Sequence, residues 1–139
     1  FSGLELVVGT ADALPFDDGA FELVAFGFCL YLCDRADLFR IAAEADRVLA
    51  EGGTLALFDF EAERPYRNPY GPLTALASYK FSARRMFAWN PGYRERYHAT
   101  FPHPDGDGQA PATWTEDDLV AVTLLAKDTA AGWPTREER

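Results

Sequence analysis

Few side chains in this sequence can do chemistry, and several of them follow apolar runs. Asp12 lies just past Gly9, which closes a run of aliphatic residues, and Asp59 stands at the end of Thr54 to Phe60. A carboxylate so placed can bind a ligand donor, position a substrate or act as a base. The plain alternatives are a loop aspartate that caps its own turn at 12 and a solvated strand end at 59. Cys29 and Cys33 are four apart in an apolar stretch. With no second ligand cluster they read as thiols packing like small hydrophobes, not as a metal site. The two histidines, His98 and His103, have neither the spacing nor the neighbours of metal ligands and read as surface or core residues. No metal is expected.

The elements that must position these groups follow from hydrophobic patterning. Leu4 to Gly9 reads as a buried strand, and Thr10 to Gly19, with Pro15 and Asp18-Gly19, as a loop. Phe21 to Phe28 is nearly continuous in apolar residues, as in a strand covered on both faces. From Asp34 to Glu51 the residues Leu38, Ile41, Ala42, Ala45, Val48 and Leu49 recur at helical spacing, with Asp34 or Asp37 as cap and Gly52-Gly53 as stop. Arg40, Glu44 and Arg47 fall on the opposite face. Thr54 to Phe60 is a further strand, so strand, helix and strand form a right-handed crossover with parallel neighbours. Ligands in such sheets sit beyond the carboxyl ends of the strands.

Beyond residue 60 the pattern weakens. Pro65, Pro69 and Pro72 make 61–72 a loop, and Leu76, Tyr79, Lys80 and Met86 suggest a helix over Leu73 to Trp89. Tyr93 to Phe101 and Leu119 to Lys127 read as strands separated by a Pro, Gly and Asp loop. Residues 129–139 form a polar tail expected to fray.

The 139 residues suit one domain. A formal net charge of −9, with 22 acidic against 13 basic residues, disfavours nucleic acid as a partner. No apolar run approaches the ~20 residues of a membrane span, and two cysteines suit a reducing cytoplasm. Phe1 is not preceded by a basic, apolar leader, and a segment upstream is expected.

The stretch Gly9-Thr-Ala-Asp-Ala-Leu-Pro-Phe-Asp-Asp-Gly-Ala-Phe-Glu-Leu-Val24 resembles the class I S-adenosylmethionine-dependent methyltransferases of type 11. In that family a strand ends in Gly-x-Ala-x-x-Leu-Pro-Phe and a Phe-Asp-Leu-Val strand follows; Glu22 here replaces the usual aspartate. Arg47-Val-Leu-Ala-Glu-Gly-Gly-Thr-Leu55 resembles the family's helix end and next strand, with Glu51 in place of proline. The resemblance is carried by residues 4–60. It implies an α/β, Rossmann-like methyltransferase fold with a mixed sheet and an antiparallel final strand, and S-adenosylmethionine as cofactor. It also implies site residues: Asp12 for the adenine amino group, the Ala13 N–H for a ring nitrogen, and the backbone of Gly27 and Phe28 for the methionine part. Tyr31 stands where relatives often carry histidine, so it faces the substrate or packs in the core. Tyr79 falls in a region that often lines the acceptor pocket, with interface packing as the alternative.

The family's glycine-rich loop and the acidic residue ending its second strand are not found in this sequence, so the fold is read as incomplete at its N-terminus. The partial domain is read as residues 1–128. Leu4 to Gly9 would then lack sheet neighbours, and the chain is expected to be unstable, reorganised, dimeric or completed by an N-terminal half. The expected activity is methyl transfer to a small or medium acceptor by the parent domain, and the missing segment points to inactivity of this chain alone. A non-enzymatic interaction or remnant module of the same fold is the rival. A nicotinamide-dependent enzyme would need a Gly-x-Gly-x-x-Gly turn that the chain does not have.

Overall fold

The computed structural model describes residues 3–70, 73–103, 113, 115 and 118–138. The apolar run after Ala20 forms β1 (Phe21–Gly27), the amphipathic segment forms α1 (Leu38–Val48), and the chain returns as β2 (Leu49–Phe60). β1 and β2 pair in parallel, with Val24 opposite Leu55 and Gly27 opposite Phe58. Next come a hairpin of β3 (Tyr66–Tyr70) and β4 (Leu73–Lys80), then the short α2 (Arg85–Ala88). β5 (Tyr93–Pro102), β6 (Leu119–Lys127) and α3 (Thr129–Gly132) complete the order. The main sheet runs β1-β2-β6-β5, and β6 is antiparallel to both its neighbours.

Ile41, Ala45 and Val48 are buried residues of α1, and Ile41 and Ala45 join Phe26, Leu49, Leu55 and Leu57 of the sheet in one core cluster. Each large aliphatic side chain so buried contributes roughly 1.5–3 kcal/mol. Asp37 is the cap residue, but only its carbonyl takes the Ile41 N–H, at 2.9 Å; its carboxylate pairs with Arg40. At the other end the Lys127 ammonium donates to the carbonyls of Asp46 at 2.6 Å and Leu49 at 2.9 Å, satisfying groups that a helix end leaves open.

Several expectations are corrected. The helix stops at Val48 because Leu49 turns extended, and Gly52-Gly53 lie inside β2. There Gly52 adopts φ +77, and a Cβ on Gly53 would come within 2.7 Å of the Leu49 side chain and 2.8 Å of the Ala50 carbonyl. The pair makes an irregularity in the register between Phe21 and Leu23, not a helix stop.

Leu4 to Gly9 does not form a strand: it is irregular, with Leu6 and Val8 fully or nearly exposed. A strand needs hydrogen-bonding neighbours, and no described strand pairs with it. β1 is likewise covered on one face only, by α1; Phe26 is buried whereas Leu23 is 59% exposed.

The 61–72 loop contains β3, and Leu73 to Lys80 is a strand, not a helix. Pro69 sits opposite Ala77 in a two-stranded ribbon, where a missing N–H is tolerated. Only Arg85–Ala88 of the expected helix is helical. The tail is also tied down: the Glu51 carboxylate takes the Thr129 N–H at 2.7 Å and its hydroxyl at 2.6 Å.

Candidate functional site

The carboxyl ends of β1 and β2 carry an arrangement that the rest of the sheet supports. Phe28, the residue after β1, has φ 48, a region that bulky side chains seldom enter. Its N–H donates to the Phe58 carbonyl at 2.7 Å, and its ring lies 4.5 Å from Phe58, 5.6 Å from Phe60 and 5.5 Å from His103. These contacts offset a backbone cost on the order of 1–3 kcal/mol. Gly27 just before it is exposed, and a Cβ there would meet nothing within 4 Å, so its backbone is open to a ligand.

Asp59 is buried and turned inward. Its carboxylate accepts the Leu30 N–H at 2.8 Å and its neighbour Phe60's N–H at 2.8 Å, which fixes the turn over 30–32. Burial raises its pKa, against the opposing pull of these backbone donors and those of Tyr31 and Cys29. It is therefore neither a solvated strand end nor a group free to meet a substrate directly. Burial, and then the Asp59 charge, push the Cys29 thiol up to about 11. Burial followed by Asp59, Asp37 and Asp12 raises Cys33, whose thiol points at the Cys29 carbonyl at 3.4 Å. Both are packed, protonated thiols, and among the described residues no group of three or more potential ligands could hold a metal.

The Asp12 loop belongs to the same end of the sheet. A Thr10 hydrogen bond, opposed by desolvation and aided by Arg40, holds the Asp12 carboxyl below its ordinary range, and Arg40 lies 3.2 Å away. The Ala13 N–H donates to the Thr10 carbonyl at 3.1 Å. What anchors the loop is the polar face of α1. Glu44 accepts the Leu14 N–H at 2.8 Å, and Arg47 donates to the carbonyls of Phe16 at 2.7 Å and Leu14 at 3.0 Å and pairs with Asp18 at 2.8 Å. In the sequence these two residues read only as lying on the helix face opposite the apolar one, and their spacing of three was the signal available.

Tyr31 packs its ring on Phe60 at 5.0 Å, and Lys80 of β4 places its ammonium 3.9 Å over the same ring. His103, read as a bystander, stacks on Phe60 at 5.4 Å. Tyr79 is half-buried on β4, which packs against the 30–32 turn. The structure thus gathers Gly27, Phe28, Tyr31 and Asp59 directly, sets Asp12 and Ala13 in the adjoining loop, and puts Tyr79 on a covering hairpin.

This mixed sheet is the fold of class I methyltransferases. A methyltransferase solved from Methanosarcina mazei superposes with TM-score 0.65 at 18% identity, over 88% of this chain and 66% of its own. The 1,6-didemethyltoxoflavin-N1-methyltransferase of Burkholderia thailandensis, solved with its substrate and S-adenosylhomocysteine, gives 0.63 at 13% identity over 88% and 50%. In sequence, residues 1–57 match the methyltransferase domain family. A malonyl-[acyl-carrier protein] O-methyltransferase of Methylococcus capsulatus is 41% identical over 58 residues, 42% of this chain. The chain spans 20% of that relative's length. Residues 1–57 are therefore similar to the methyltransferase domain family, and the described chain has the fold of the S-adenosylmethionine-dependent methyltransferases.

The residues present fit that cofactor on one side. Asp12 keeps a partly exposed carboxylate, and the backbone at Gly27 faces open space into which a ligand can come close. The Ala13 N–H is already engaged by Thr10, so a ring nitrogen would have to share it. No glycine-rich loop of the kind that the resemblance assigns to the ribose is found in this sequence.

Proposed function

We propose that residues 1–128 form part of a domain that transfers a methyl group from S-adenosylmethionine to a small or medium acceptor, with 129–139 as its tail. The observation that carries this reading is the Gly27-Phe28 turn, open to ligand and fixed in a left-handed backbone by the Phe58 carbonyl and the aromatic cluster. S-adenosylmethionine supplies an electrophilic methyl. Asp12 and the Ala13 N–H recognise its adenine, and the backbone of Gly27 and Phe28 meets its methionine part. Asp59 acts through the 30–32 turn, as a positioning residue. Tyr31 and Tyr79 border the acceptor. No side chain is assigned as base, since catalysis of this kind rests mainly on alignment. The relatives' acceptors, a malonyl group on a carrier protein and 1,6-didemethyltoxoflavin, support an acceptor of small or medium size.

Calorimetric titration with S-adenosylmethionine tests the reading. Saturable binding, weakened about tenfold or more by Asp12→Ala, is the expected result; no heat of binding overturns it for this chain. A second reading, a non-enzymatic interaction module, is favoured by β1, which ends the sheet with an edge that no described strand pairs. A second copy or a complementing N-terminal half would be its partner. No described helix is long and apolar enough to cross a membrane, and the two free thiols suit the reducing conditions of a cytoplasm.

A further inference from the structure

Between the start of α1, the β3–β4 hairpin and α2 lies a groove of two adjoining cavities, about 570 and 340 Å³. Arg35, Leu38, Pro65 and Phe81 wall both of them. The larger adds Arg67, Lys80 and the rings of Tyr66 and Tyr79, and the smaller adds Arg85, Met86 and Trp89. Four cations thus line the groove and no described carboxylate does, in a chain where acidic residues outnumber basic ones by 22 to 13.

The cations are not equally engaged. Arg85 donates to the Glu63 carbonyl at 3.3 Å, and Lys80 lies over Phe60. The side chains of Arg35 and Arg67 have no ion-pair or hydrogen-bonding partner among the described residues, although folding places both in one cavity wall. Ser82, 1% exposed, forms part of the floor of the smaller cavity. Apolar walls with a few convergent polar groups, at this volume, are what a small-molecule site looks like.

We infer that the groove binds the methyl acceptor as an amphipathic anion. A carboxylate or phosphate is held by Arg35 and Arg67, whose planar forks suit either group. The apolar body lies along Phe81, Met86 and Trp89. Calling the occupant the methyl acceptor rests on the function proposed above; the binding itself does not. The larger cavity shares Lys80 with the aromatic cluster, which places the groove beside the end of β1.

The test is calorimetric titration of the full chain with octanoate, octyl phosphate and the uncharged octanamide, repeated on Arg35→Gln and Arg67→Gln. Both arginines are exposed, and an unchanged thermal melt would confirm that the variants fold. At least one anion should bind about tenfold or more tightly than octanamide, and each variant should weaken the anion by roughly tenfold while leaving octanamide unchanged. The preferred anion tells carboxylate from phosphate. Equal binding of anion and amide, parental affinity in both variants, or no anion binding overturns the proposal. S-adenosylmethionine titrated in parallel separates the two claims. Anion binding without cofactor binding keeps the groove and removes the methyl-transfer reading for this chain, and the converse removes the groove alone.

Discussion

The Asp59 carboxylate accepts the Leu30 N–H at 2.8 Å, so the end of β2 holds the turn that follows β1. Replacing Asp59 with leucine keeps a side chain of similar bulk but leaves buried N–H groups unpaired. Stability should fall by about 1–3 kcal/mol in urea denaturation. Cofactor affinity should fall as well, because the turn would no longer be fixed; a variant with parental stability would remove the positioning role.

The thiols give a chemical readout of the same corner. With Cys29 at about 11 and Cys33 also raised, neither forms much thiolate near neutral pH. Alkylation by iodoacetamide at pH 8 should be slower than for a free cysteine, and Asp59→Asn should speed it by removing a nearby negative charge. Rates equal to a model peptide would contradict the burial described here.

Acid should loosen the Asp12 loop through Glu44. Hydrogen bonds from Arg47 and then the Leu14 N–H, opposed by desolvation and aided by the Arg47 charge, push its carboxyl from 4.5 down to about 2. A depressed folded value means the stabilisation is complete above about 4.5 and is lost as pH falls toward 2. Melting temperature followed across that window should decline, and the decline should be shallower in Arg47→Ala.

Unpaired strand edges seek partners. With Leu23 exposed on β1 at the end of the sheet, the chain should self-associate in sedimentation, and Leu23→Lys should shift it toward monomer. A parent that stays monomeric throughout a dilution series would show the edge to be protected.

The parallel pair was legible because Phe21 to Phe28 and Thr54 to Phe60 are continuous apolar runs joined by a strongly periodic helix. The hairpin was not. Leu76, Tyr79, Lys80 and Met86 satisfy a helical period by chance, and Pro69 hid a strand that tolerates proline only because it pairs on a ribbon. Leu4 to Gly9 has strand composition, but pairing depends on neighbours that composition does not describe. At the candidate site, the motif singled out Asp12, Gly27 and Phe28, and the structure places the last two at the carboxyl end of β1. The burial of Asp59 depends on how the 29–31 backbone folds back over it. The approach of His103 depends on β5 continuing beside β6 as far as Pro102 opposite Leu119. Neither relation leaves a trace in local sequence.

The basic groove is a positive enclave in a molecule of net charge −9. An anion still farther off than the screening length, about 10 Å at 0.1 M salt, feels little; in dilute buffer that length reaches about 30 Å and the whole acidic surface repels it. Contact with Arg35 and Arg67 reverses the sign only at the end of the approach. Moderate salt should therefore quicken capture while shortening residence less, a kinetic signature opposite to that of a cationic protein drawing an anion to itself.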